Sequence, residues 1–217
     1  RHQIALDLGY ENFVQLGYDR MGRTDYGPKE VKAYRDQIYK EVVPVVNELQ
    51  ERKAKRLGIK DPKSYDLAIS FLSGNPTPKG DRPWMVERAK QMYEEMSPET
   101  GEFINFMLKH DLLDLDAKPG KAGGGYCTYI PKYRAPFIFA NFNGTAGDVD
   151  VLTHEAGHAF QVYSSRDLIA SYRWPTMEAA EIHSMSMEFF AWPWIDKFFL
   201  EDTEKYKFSH RSEERRV

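Results

Sequence analysis

Between residues 28 and 57, apolar side chains return at Val31, Tyr34, Ile38, Val42, Val45, Val46 and Leu49, the 3.6-residue rhythm of an amphipathic helix. Gly27-Pro28 marks its start, because a proline in the first turn gives up an N–H that has no partner there. Gly58 marks its stop. Pro44 falls inside the run and predicts a kink or a division, since it lacks the N–H that the helix needs. Residues 73–83 are loop by composition, and a second helical pattern runs from about Trp84 to Met96. Ser97 then caps a third helix, opened by Pro98, whose Phe103, Phe106, Met107 and Leu108 are core candidates.

The pattern changes over residues 118–147. Lys118 to Gly125 is rich in turn residues, and the runs Tyr126–Ile130 and Phe137–Phe142 are aromatic and β-branched, the composition of short strands. They predict a hairpin closed by Asn143-Gly144-Thr145-Ala146-Gly147, with a helix beginning near Asp148. The fold class is therefore mainly α, with a small sheet or hairpin before the helix that carries His154 and His158. No internal repeat interrupts the chain. We expect residues 1–217 to be part of a single domain: a helical wall over 1–117, a hairpin with an edge strand over 118–147, and site-bearing helices over 148–208.

Charge narrows the partners. With 30 Lys and Arg against 33 Asp and Glu the formal net charge is -3, which gives no electrostatic case for nucleic acid or an anionic membrane. The single cysteine, Cys127, rules out an internal disulfide and fits a reducing cytoplasm. No apolar run approaches a membrane span, and Arg1-His2-Gln3 does not open a signal segment. The start without Met and the charged run from His210 to Val217 suggest a piece of a longer protein.

The chemistry lies in His154-Glu155-Ala156-Gly157-His158. Two histidines four residues apart on a helix share one face and can reach a single metal ion. Zinc suits two imidazole nitrogens and a carboxylate, with the fourth position left to water. Glu155 is placed to take a proton from that water as general base. A third histidine in the pattern His-x-x-Gly-x-x-His is excluded, because Gln161 and Ser164 stand at the required positions. The following helix offers Glu178, Glu181, His183 and Glu188, and spacing alone leaves Glu178 and Glu181 both open as the third ligand. Cys127 has no evident base partner and is not a nucleophile.

Three runs carry a family resemblance: Ala140–Thr145, Asp148–Phe160 and Pro175–Met185. Together they resemble the M3 peptidases, which include thimet oligopeptidase and the bacterial oligoendopeptidase F group, the latter the nearer match. The resemblance implies a zincin-like catalytic core and one zinc ion per chain, held by His154, His158 and Glu181. It selects Glu181 through a Glu-x-x-Ser-x-x-x-Glu stretch matched by Glu181, Ser184 and Glu188. Glu188 then becomes a carboxylate that orients a ligand histidine, with Glu178 the alternative ligand or a helix-surface group and His183 local support.

The implied activity is hydrolysis of internal bonds in short, unstructured peptides admitted to a deep channel. The strand from Phe137 to Phe142, with Phe139, Ala140 and Asn141, would be the edge to which a substrate backbone adds. Gly124 and Gly125 would line the same cleft. Family members are longer, and helices beyond the zinc site supply His and Tyr groups for the substrate carbonyl. The alternative is thus a zinc-binding chain without turnover.

Overall fold

The computed structural model describes residues 1–211; the charged tail from Ser212 onward lies outside the described residues. The chain divides into two compact units, one built chiefly on residues 1–74 and the other on residues 75–208.

In the first unit, α1 (His2–Asp7) and α2 (Phe13–Arg20) precede the long helical pattern. Asn12 caps α2, its Oδ1 accepting the Val14 N–H at 2.8 Å. α3 (Pro28–Gln37) begins at the expected Pro28, and Glu30 Oε2 accepts the Gly27 N–H at 2.9 Å. The division expected at Pro44 is a π turn over Ile38–Val42, followed by α4 (Val43–Arg56). Pro44 has no N–H for the carbonyl four residues back, so the turn before it widens. Gly58, at φ 69°, ends the helix as predicted. The stripe forms a helix but is only thinly covered: α3 buries none of its residues, and α4 buries Leu49, Lys53 and Ala54.

The second unit holds the core. α5 (Arg82–Met96) is capped by Asp81, and α6 (Pro98–Lys109) by Ser97, whose Oγ accepts the Thr100 N–H at 3.1 Å. Phe103 and Met107 are fully buried, with Phe103 edge-on to Tyr93 at a centroid distance of 6.4 Å. Three strands follow: β1 (Leu113–Asp116), β2 (Tyr126–Ile130) and β3 (Ala135–Phe142). β2 and β3 form the expected antiparallel hairpin. β1 was not expected; it pairs parallel to β3 on the side away from β2, giving the order β1-β3-β2.

That order corrects the sequence reading. Through Phe139 the strand is central, with β2 on one side and β1 on the other, so that stretch offers no edge to a peptide, and beyond it the Asn141 side chain bonds residues 122–124 on the β2 side. The edge left beside the hairpin is that of β2. The sequence reading keeps Leu113-Asp114-Leu115-Asp116 within the helical wall over 1–117, because a run of four residues, two of them poor strand formers, carries too little strand pattern around the buried Leu115.

α7 (Ala146–Ser164) and α8 (Met177–Ala191) carry the candidate site. The turn into α7 is fixed by buried Asp148, whose carboxylate accepts the N–H groups of Asn143 and Gly144, the latter at 2.7 Å. α8 starts at Thr176, whose Oγ1 accepts the Ala179 N–H at 3.4 Å. Gly157 lets the two helices meet: a Cβ there would stand 2.6 Å from Ser184 Cα and 2.7 Å from the His183 carbonyl oxygen. α9 (Asp196–Phe199) and α10 (Thr203–Arg211) complete the order, with Phe198 and Phe199 buried in the core. Among the described residues no helix is long and apolar enough to cross a membrane.

Candidate metal centre

His154 and His158 stand one turn apart on α7, their ring centroids 5.0 Å from each other. α8 brings Glu181 to both: its Oε2 lies 3.1 Å from His154 Nε2 and 3.6 Å from His158 Nε2. One ligand atom from each of the three falls within 4.8 Å of the others, and the described residues hold no other such His, Cys, Asp and Glu group. Two nitrogens and a carboxylate oxygen at this spacing form a donor set for a divalent transition metal with a coordination position to spare. Glu178 and His183 are exposed and lie outside the cluster.

The neighbours orient these ligands. His154 Nδ1 is 2.7 Å from Glu188 Oε1. A carboxylate can only accept, so Nδ1 carries the hydrogen and Nε2 keeps its lone pair for the centre. The Glu188 bond holds the His154 pKa above its usual value, whereas burial pushes that of His158 down. Ser184, fully buried, donates its Oγ to Glu181 Oε2 at 2.8 Å and fixes that carboxylate on its own helix.

Glu155 projects from the same helix but stays out of the ligand set. Its residue is 8% exposed, and burial raises its pKa above the usual carboxylate range. Its Oε2 is buried without a hydrogen-bond partner. A buried carboxylate oxygen with an open acceptor site next to this candidate metal triad is suited to take a proton. Cys127 lies near this carboxylate, and burial pushes its thiol up to about 12, which removes it as a nucleophile.

The glycines foreseen in the cleft are close to Glu155. A Cβ on Gly125 would come within 3.6 Å of Glu155 Oε1 and 3.3 Å of Val151 Cγ1, so the backbone there lies against the base. Phe139, Ala140 and Asn141, expected to receive substrate, lie on β3 beside this segment. Phe139 is paired with Tyr126 on one side and Asp114 on the other, and the Asn141 amide is spent on the carbonyls of Ala122 and Gly124. Sequence reasoning gave Lys121 no role, because a lysine in a turn-rich tract reads as solvated; its side chain is only 7% exposed. A groove of about 970 Å³ lies elsewhere, lined by Met96, Phe160, Ile182, His183 and Phe190 among others, and none of the three candidate ligands borders it.

A model of peptidase family M3 matches residues 91–214. The structure is similar to a Pz peptidase A solved with an inhibitor, at a TM-score of 0.93 and 60% identity over 96% of this chain and 37% of that one. It is likewise similar to a provisionally named oligoendopeptidase F from Bacillus anthracis strain Ames, at 0.92 and 62%, over 96% of this chain and 39% of the other. A further provisionally named oligoendopeptidase F gives 0.94 and 60%, over 96% and 37%. No curated protein matches. The chain thus spans less than two fifths of the length of these solved structures, and its helices and small sheet form the zincin-like arrangement expected from sequence.

Proposed function

The chain belongs to peptidase family M3, and on that premise we propose that it carries the metal centre of an oligopeptidase that hydrolyses internal bonds of short, unstructured peptides. The reading rests on one observation above all. His154, His158 and Glu181 converge from two helices while Glu155, beside them, keeps a buried oxygen with an open acceptor site.

We assign one zinc ion to this triad, with His154, His158 and Glu181 as its ligands. Bound there, zinc would polarise the scissile carbonyl and acidify the attacking water. The chain's own residues do the rest. Glu155 accepts a proton from the water at its Oε2 and returns it to the leaving amine nitrogen. Burial raises the Glu155 pKa above the usual carboxylate range, which makes it a stronger proton acceptor than an exposed glutamate. Glu188 keeps His154 in the tautomer whose Nε2 faces the triad, and Ser184 steadies Glu181. The substrate backbone would lie along the outer side of Gly124, Gly125 and β2, where a strand has room, rather than on β3. We place the protein in the cytoplasm on its single, unpaired cysteine, Cys127.

A second reading is that residues 1–217 by themselves hold zinc without turnover; they span 37% of the length of the Pz peptidase. In the family the carbonyl-binding donors come from helices beyond the zinc site, and losing one such donor costs about 100-fold or more in rate. The test is metal content per chain after purification without added zinc, then hydrolysis of a quenched oligopeptide. Zinc lost in His158→Ala and hydrolysis lost in Glu155→Gln with zinc retained would support the full reading. Zinc without hydrolysis in the parent chain would favour the second, and a chain that binds no metal would sink both.

A further inference from the structure

The paired register between β2 and β3 ends where Tyr126 faces Phe139. Residues 122–125, which continue toward Glu155, are attached beyond that point by side chains. Asn141 Nδ2 donates to Ala122 O and to Gly124 O, both at 2.9 Å, and so extends the hairpin ladder with an amide in place of backbone. Lys121 anchors the other end of the segment. Its Nζ donates to the carbonyls of Asp116 at 2.7 Å, Ala140 at 2.6 Å and Asp114 at 3.1 Å, and lies 4.3 Å from the centre of the Phe139 ring.

These carbonyls are available for a structural reason. The β1–β3 register slips between Asp114 and Asp116, a bulge that takes carbonyls out of the ladder. Three ammonium hydrogens meet three such oxygens, with Asp114 Oδ1 at 3.2 Å to balance the charge. A lysine so buried would otherwise be costly, so bulge and lysine satisfy each other.

We infer that Lys121 and Asn141 are positioning residues that hold the glycine segment against Glu155 as the track for a substrate backbone. This rests on the peptidase reading given above. Three consecutive glycines are the residues that lose most freedom on ordering, so an unclamped segment would have to be ordered by the peptide at the expense of affinity. Gly124, at φ 94°, also needs the glycine backbone to follow this path. Clamping it beforehand removes that cost from the binding step.

The test uses the zinc-loaded chain carrying Glu155→Gln, so that captured peptide is not cut. Zinc affinity is read by competition with a chromophoric chelator, and peptide affinity by the anisotropy of a fluorescein-labelled unstructured peptide. Asn141→Asp keeps the size and removes both donors; Lys121→Met keeps the length and removes all three. We expect each to weaken peptide capture about 10-fold with zinc affinity unchanged, as for a small misplacement of a docking element. Lys121→Arg, which keeps cation and donors, should recover most of the loss. Unchanged peptide affinity in both variants would overturn the clamp, and so would a parallel loss of zinc, which marks general damage to the fold. A parent chain that holds zinc and captures no peptide would instead overturn the peptidase reading itself.

Discussion

His154 on α7 and Glu188 on α8 are joined by a 2.7 Å hydrogen bond between Nδ1 and Oε1. The bond crosses between the helices on the side of the imidazole opposite Nε2, which faces Glu181, and so sets which nitrogen is free. Glu188→Gln keeps the shape but replaces the carboxylate with a weaker acceptor. Zinc affinity should fall about 10- to 100-fold, read by chelator competition, while the fold is kept. Undiminished affinity would mean that His154 is oriented by something else.

Glu178 and Glu181 are one turn apart, and only Glu181 reaches the histidines. Glu181→Ala should therefore abolish stoichiometric zinc binding, and Glu178→Ala should leave it intact. Elemental analysis of the two purified variants decides the matter, and the reverse outcome would reassign the third ligand.

Gly157 is where α7 and α8 touch. A methyl group there would need Ser184 Cα, the His183 carbonyl and Met187 Cβ to move, all of them closer than 3.0 Å. Gly157→Ala gains helix propensity but forces the helices apart. We expect a net loss of about 1–3 kcal/mol in urea unfolding, together with weaker zinc binding. A stabilised variant would show that the helices can separate without strain.

The Cys127 thiol, pushed up to about 12, predicts a simple pH profile. Alkylation needs the thiolate, and a raised pKa leaves less of it at any pH below that value. Iodoacetamide labelling of the folded chain should be slower than that of a free thiol by about three orders of magnitude near pH 7.5, since an ordinary thiol titrates near 8.5–9. The rate should climb about tenfold per pH unit, and unfolding in urea should restore ordinary reactivity. Fast labelling of the native chain would contradict the burial.

Much of this was legible in sequence because it is local. The cap at Ser97, the Pro28 start, the hairpin and the face shared by His154 and His158 each depend on residues a few positions apart. β1 was not legible: a parallel strand reaches its partner across the whole of β2, and nothing within Leu113–Asp116 announces that pairing. The misplaced edge followed from that omission. Lys121 was missed for a related reason, since its three carbonyl partners lie on two different strands. The choice of Glu181 over Glu178 came from family likeness, because both occupy one side of α8 and only the approach of α7 separates them.

The short path between the ligands bears on how the protein is made. α7 and α8 are consecutive, and His154 and Glu188 are separated by 34 positions. The parallel β1–β3 pairing is no more distant, with Leu113 and Ile138 25 positions apart, so the two closures carry a similar entropic cost. Both strands precede α7, so all three have left the ribosome before α8 is complete. The last piece of the centre to be made is therefore α8, and a bound ion would act as a staple that ties this late helix to elements already present.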